Sequence, residues 1–370
     1  MSWLKTVLPT RALHWVGAGV VFAVAGIFGA ILFVWSGVYN IAAIDPHVPA
    51  VNWLITVAKV NSIDRHSNDV PARPPLDQPA QVQRGAVQFD MECGACHGTP
   101  AAPQTGLLRN MRPRPPKLSE VVDRHTSKEL FWIVKHGIKY TGMPGWPAPE
   151  RDDEVWSMVT FLEQIQDMKP DAYRQLANTD PERPPAGAPD GLQTCARCHG
   201  YDGHGKGKGA YPILSIQEKE YLSRSLQAYA DDHRHSGTMG PIASGLSDKQ
   251  MDRLATWYAN QPSDDLPDDT SPASELVMRG KKIAEKGLPD QDVEACISCH
   301  VRAKGRRFDI VFPNLEGQYA NYIADQLLAW KTRGRGRTRE GQLMKPMSDI
   351  SHNLSNQEIR AVAAYFATAK

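Results

Sequence analysis

The sequence predicts an all-α protein, an N-terminal transmembrane helix followed by three tandem domains of one kind. Three observations carry this. Val16 to Tyr39 is a run of 24 residues without a charge. The motif Cys-x-x-Cys-His occurs three times, at Cys93–His97, Cys195–His199 and Cys296–His300, the copies 102 and 101 residues apart. A stretch with helical period, apolar at i, i+3, i+4 and i+7, closes the chain after each motif.

The N-terminal run comes first. As a helix it spans roughly 36 Å, enough to cross a hydrocarbon core of about 30 Å with tilt. Trp15, Trp35 and Tyr39 lie near its ends, where amphipathic rings prefer the membrane interface. Lys5 and Arg11 precede it and Asp45 follows, which places the first residues in the cytoplasm. A cleaved signal peptide has an apolar core of about 7–15 residues and a small-residue cleavage site. This run is longer, and Asn40-Ile-Ala-Ala43 is a poor cleavage site, so residues 1–45 are expected to be an uncleaved anchor. Residues 46–80 are expected to be a periplasmic linker. Within it, Val51–Ala58 is an apolar patch too short to span, and Pro71–Pro79, with four prolines, is expected to be extended.

The motifs carry the chemistry. Cys-x-x-Cys-His is the attachment signature of c-type haem. The two sulfurs bond the porphyrin vinyl groups and the histidine nitrogen reaches the iron. All six cysteines, Cys93, Cys96, Cys195, Cys198, Cys296 and Cys299, sit in the three motifs, so none is left for a disulfide. A closed zinc site needs two Cys-x-x-Cys pairs facing each other, and three pairs cannot all be matched. A redox dithiol needs a βαβ context that is absent. Three covalently bound haem c groups are therefore expected. The formal net charge of +1 gives no bulk argument for nucleic acid. Pro/Asp-rich stretches at Asn178–Asp190 and Gln261–Pro272 separate the copies. They divide the rest of the chain into domains over 81–177, 186–264 and 273–370.

Each domain ends in an amphipathic helix. The apolar positions are Val155, Met158, Val159 and Leu162 in the first, Met251, Leu254, Ala255 and Tyr258 in the second, and Ile359, Val362, Ala363 and Phe366 in the third. Ser247 with Gln250 and Ser355 with Glu358 predict capping boxes that start the last two. Twelve residues before the first apolar position lie Met143, Met239 and Met347. A thioether is a soft ligand that binds haem iron. The shared register therefore selects these three of the 11 methionines as partners of His97, His199 and His300. Met344 lies at fifteen, and Met111 and Met158 lack the register and are expected to pack. His136, His204, His233 and His235 are expected to be solvated or to hydrogen-bond rather than ligate.

The second and third domains match more closely than either matches the first. Pro212 and Pro313 each lie thirteen residues after the motif histidine, and Tyr221-Leu222 and Tyr322-Ile323 nine further on. A common helix is expected there. The third domain has seven extra residues between Trp330 and Met347, with Lys331, Arg333, Arg335, Arg337 and Arg339 among that stretch. These are expected to form a solvated basic loop, or a docking patch for an acidic redox partner.

These residues resemble class I cytochrome c. The motif near the domain start, a following Pro-x-Leu, a distal methionine and a final aromatic-bearing helix carry the resemblance. Gly142-Met143-Pro144-Gly145-Trp146 looks like its methionine loop, and the second and third domains look like the fused diheme cytochromes c. The resemblance covers roughly residues 80 to 370. It implies three tandem class I cytochrome c domains with haem held by His and Met. It also implies that a proline carbonyl accepts the N–H of the axial histidine, with Pro212 and Pro313 in this role and Pro116 as counterpart in the first domain. A helix usually precedes the motif in this family. Gln81–Met91 and Ala273–Lys286 provide it. The second domain has only a proline-rich stretch, so its first helix is short or Asp171–Ala177 stands in.

A six-coordinate His/Met haem has no open position for substrate, so the expected function is electron transfer and not catalysis. The expected place is the bacterial inner membrane, single-pass, with the haem domains on the periplasmic side. The expected partners are a quinol-oxidising complex or dehydrogenase as donor and a soluble cytochrome or terminal oxidase as acceptor. The alternatives are a cytochrome subunit of a larger dehydrogenase or oxidase complex, and a multihaem peroxidase-type enzyme with one open iron.

Overall fold

The computed structural model describes residues 4–73, 78–179, 182–207, 209–263, 266, 273–300, 312–332, 335 and 341–369. It divides into two compact units, Met1–Leu54 and Ile55–Lys370. The described residues are helical and carry no named strand, only an isolated bridge between Leu288 and Val293.

The first unit is dominated by one helix, Leu4–Ser36. Its His14–Ser36 portion has a mean hydropathy of 2.4 and contains no buried residue. Gly37, at φ 65°, ends it in the left-handed region. The expected linker is not extended throughout. The Val51–Ala58 patch is the first half of a helix, Pro49–Ser67, that opens on a proline, the residue suited to a first helical position. The end of that helix belongs to the second unit, where Ile63 and Ser67 are buried and His66 stacks on Trp132 at 5.7 Å. The Pro71–Pro79 stretch gives way to helix from Gln78.

The second unit holds three cores. In the first, the opening helix Gln78–Gln88 runs through a π-helical turn, Phe89–Cys93, into Gly94–His97. It crosses the closing helix Asp152–Leu162 at Gly85, where a Cβ would lie 2.2 Å from the Ser157 carbonyl oxygen. Phe89, Phe131, Trp156 and Phe161 fill the space between them. The third core repeats the crossing. Opening helix Ser274–Lys286 meets closing helix Asn356–Thr368 at Gly280, 1.8 Å from the Ala361 oxygen by the same measure. The capping boxes at Ser247 and Ser355 are both present, and Thr126 with Glu129 forms a third on helix Ser127–His136. The helix common to the second and third copies is also there, as Lys219–Ala230 and Ala320–Lys331.

Among the described residues the second core has no separate opening helix. Its motif helix, Leu192–His199, starts directly after Gly191 at φ 87°. The Asp171–Ala177 segment does not stand in. It forms helix Pro170–Leu176, and its Tyr173 is fully buried in the first core, donating to Asp90 at 2.8 Å. An aromatic of that size goes where the nearest unfilled apolar space is, and the first core supplies it.

Each core touches the other two. Ala80, Val87 and Met91 of the first pack on Cys198, Ala210 and Tyr211 of the second. Ile213 and Ile216 of the second pack on Tyr319 and Tyr322 of the third. There the Gln318 amide both donates to and accepts from the Ile213 backbone, each at 2.9 Å. Arg84 of the first pairs with Asp325 of the third, both side chains largely buried.

Candidate haem centres

Each motif lies on a helical turn that ends at its histidine: Gly94–His97, Leu192–His199 and Ile297–His300. Residues three apart on a helix share a face, so the two cysteines of each motif project together with the histidine one place on. Gly98 and Gly200 follow at φ 72° and turn the chain away at once.

The three histidines have one environment. His97, His199 and His300 are 7–8% exposed. The Nδ1 of each is hydrogen-bonded to a proline carbonyl: Pro116 at 2.7 Å, Pro212 at 3.3 Å and Pro313 at 3.0 Å. Pro116 therefore fills the role despite its longer spacing. Burial holds all three imidazoles below their ordinary value, against the opposing effect of the proline bond, and His199 falls to about 4. Arg335 adds to the effect at His300. A neutral ring whose one N–H is on Nδ1 keeps the Nε2 lone pair for a metal, and the proline bond fixes that tautomer. Burial also pushes the thiols up, Cys93 to about 12 and Cys195, Cys198 and Cys296 to about 11, so these sulfurs are held neutral.

The donor set fits haem and not a naked metal ion. Among the described residues no three His, Cys, Asp or Glu side chains gather as a metal site. Two cysteine sulfurs and one oriented, buried imidazole per motif are what covalent haem requires.

The methionines occupy three settings. Met143 is half-buried in a loop that folds back over the end of helix Ser127–His136, its carbonyl accepting from Ile138 at 3.2 Å. Gly137, at φ 65°, makes that fold possible, since a Cβ there would lie 2.6 Å from the Met143 oxygen. Met239 heads a short helix, Met239–Ser244. Met347 lies on a helix, Gly341–Asn353, just after Pro346, and packs against the third core. The side chain of Met344 lies outside the described residues. Met158 is buried core, and the Met111 methyl packs on Gly142 beside Met143.

The basic stretch is not a simple solvated loop. Lys331 donates to the carbonyls of Leu354 and His352, and Arg335 donates to Gln326 and lies over the Trp330 ring. Arg333, Arg337 and Arg339 lie outside the described residues. Of the other histidines, His136 is engaged by the Trp132 carbonyl, His204 by the Pro262 carbonyl and His235 by Asp232.

Two braces escaped sequence reasoning. Buried Gln104 donates to the carbonyls of Cys96 and Pro115, both at 2.8 Å, tying the first motif to the segment that carries Pro116. In the second copy the glycine-rich loop does this work. Gly205 N–H donates to the His199 carbonyl at 2.9 Å, and Lys206 N–H to Cys198 at 2.8 Å. The aromatic pair of the closing helix was a visible signal for a third brace: Tyr258 donates to the Gly200 carbonyl and Trp257 to Tyr201.

Residues 80–162 match the family described as cytochrome c oxidase, cbb3-type, subunit III. Residues 192–261 and 277–370 match the family described as cytochrome c. A thiosulfate dehydrogenase electron acceptor from Stutzerimonas stutzeri (strain A1501) is 34% identical over 182 residues, covering 49% of this chain and 81% of the relative. Cytochrome c4 from Pseudomonas aeruginosa is 34% identical over 173 residues, covering 46% of this chain and 81% of the relative. A solved reduced recombinant cytochrome c4 from Pseudomonas stutzeri is 27% identical and covers 50% of this chain and 100% of that one, at a TM-score of 0.42. The chain is a multi-domain c-type cytochrome and belongs to the cytochrome c family, with covalently bound haem c and a role in electron transfer.

Proposed function

We propose that the protein is a membrane-anchored triheme electron carrier. The observation that carries this is the threefold repetition of one centre, a buried histidine locked by a proline carbonyl beside a Cys-x-x-Cys pair, within a single compact unit. Haem c supplies a one-electron couple at each centre. Cys93 and Cys96, Cys195 and Cys198, and Cys296 and Cys299 hold the porphyrins by thioether bonds. His97, His199 and His300 bind from one side, and Met143, Met239 and Met347 from the other by their common register. With both axial positions filled by the chain, substrate has nowhere to bind, which favours outer-sphere transfer over a peroxidase-type activity. The helix His14–Ser36 is long and apolar enough to hold the chain in the inner membrane with the haem domains in the periplasm.

The donor is a quinol-oxidising complex or a dehydrogenase, and the acceptor a soluble cytochrome or terminal oxidase. The name of the Stutzerimonas relative supports a dehydrogenase among the donors and also favours a second reading, a cytochrome subunit of such an enzyme. Replacing each methionine in turn by alanine tests the centres. Each of Met143→Ala, Met239→Ala and Met347→Ala is expected to open one iron to carbon monoxide and leave two low-spin. A variant whose spectrum matches the parent removes that methionine from the ligand set. Purification in mild detergent separates carrier from subunit, since a stoichiometric enzyme partner contradicts the free carrier.

A further inference from the structure

Glu154 sits in the first turn of the closing helix Asp152–Leu162 and is only 8% exposed. Its carboxylate is fully engaged. Oε2 accepts from the Trp146 indole N–H at 3.1 Å and from the Gly237 backbone N–H at 2.6 Å. Oε1 accepts from the Ser236 hydroxyl at 2.7 Å and pairs with Arg151 at 3.1 Å. Arg151 in turn donates to the His235 carbonyl at 2.9 Å and is held by Asp153.

The partners come from two loops. Trp146 closes the loop that begins Gly142-Met143, three residues after the methionine. Ser236 and Gly237 immediately precede Thr238-Met239, and the Ser236 oxygen also accepts from the Met239 N–H at 3.1 Å. The loops touch directly: a Cβ on Gly237 would lie 2.4 Å from the Trp146 nitrogen. One buried charge thus satisfies donors on both methionine loops at once. Hydrogen bonds to a buried charge are among the stronger ones, and leaving their donors unpaired is costly. Among the described residues no bond of this cluster reaches Met347.

We propose that Glu154 is a positioning residue that joins the Met143 and Met239 loops into one hydrogen-bonded unit, so that methionine ligation of the first and second haems is coupled while the third is independent. This rests on the reading of Met143 and Met239 as ligands. Breaking the joint from either side releases both loops, because each loop is held partly by the other through the shared carboxylate.

The test uses the full chain in mild detergent. Its readouts are the methionine-to-iron charge-transfer band of the oxidised protein and carbon monoxide binding by the reduced protein. Met143→Ala and Met239→Ala serve as reference spectra for the first and second haems, and the third haem is the internal control for folding. Glu154→Gln keeps the volume but turns one acceptor oxygen into a donor facing donors. It is expected to raise the methionine-free fraction about tenfold at the first and second haems and to leave the third unchanged. Trp146→Phe touches only the first loop, yet it is expected to weaken ligation at the second haem as well, and Ser236→Ala the reverse. Effects of Trp146→Phe and Ser236→Ala confined to their own haems overturn the joint, as does Glu154→Gln with all three haems unchanged. If Glu154→Gln does not fold, the two single-loop variants decide alone. Should the parent protein lack methionine ligation at the first two haems, the ligand reading fails and the joint with it. Intact ligation that the variants do not disturb sinks the joint only.

Discussion

His97, His199 and His300 reach one environment from three different backbones. In each case a carbonyl, not a side chain, sets the tautomer, and a proline places it by removing its own N–H from competition. The histidines were legible from the motif itself, whereas the role of the proline carbonyl was expected only through the resemblance to class I cytochrome c. Glu358 shows the same economy at a helix start. Its carboxylate accepts from the Ser355 backbone N–H at 2.8 Å, and its own N–H donates to the Ser355 hydroxyl at 3.3 Å. The bonds with Ser355 hold its pKa below the ordinary 4.5, more than burial raises it. A lowered acid stabilises the fold above its ordinary pKa, and that stabilisation is lost as the pH falls through the folded value. Glu358→Gln should therefore flatten the acid side of the pH–stability curve below about pH 4.5. Ser355→Ala should cost about 1 kcal/mol at neutral pH, read from denaturant midpoints.

At the scale of elements, the first and third copies are built on the same crossing of opening and closing helices, made close by Gly85 and Gly280. Backbone atoms of the partner helix fill the space a side chain would need, so neither can give way cheaply. Gly85→Ala and Gly280→Ala should each cost about 1–3 kcal/mol, measurable as a lowered thermal midpoint, with Gly106→Ala, where an added Cβ meets nothing closer than 3.9 Å, as the contrast for packing. Closing helices were readable because their period is strong and, in the second and third copies, their caps are spelled out. The Pro49–Ser67 helix was not, because only its first half is apolar and the rest, Lys59-Val-Asn-Ser-Ile-Asp-Arg-His-Ser67, shows no stripe. The Pro170–Leu176 helix was read as a possible opening helix for the second copy. What decides its place is Tyr173, and a single buried aromatic leaves no periodic trace.

At the scale of the whole molecule, the contacts that unite the three cores were invisible in the sequence. Arg84 and Asp325 stand 241 positions apart, and no spacing rule connects them. Glu154 and Ser236 are 82 apart and equally silent. A buried ion pair is expensive to break from one side, since the survivor is left charged without a partner. Asp325→Ala should cost about 3–5 kcal/mol, whereas the double replacement of Arg84→Met with Asp325→Leu should be close to neutral. A double-mutant cycle on thermal unfolding of the haem-loaded chain checks this, with strong non-additivity expected.

The central claim is that this chain carries three covalent haems with both axial positions filled by its own side chains. A redox titration of the purified full chain, with haem counted per polypeptide and carbon monoxide added at the reduced end, tests it most directly. Three haems per chain, all low-spin, and no carbon monoxide complex at any potential are expected. A count below three, or a high-spin haem that binds carbon monoxide in the unaltered protein, would contradict it.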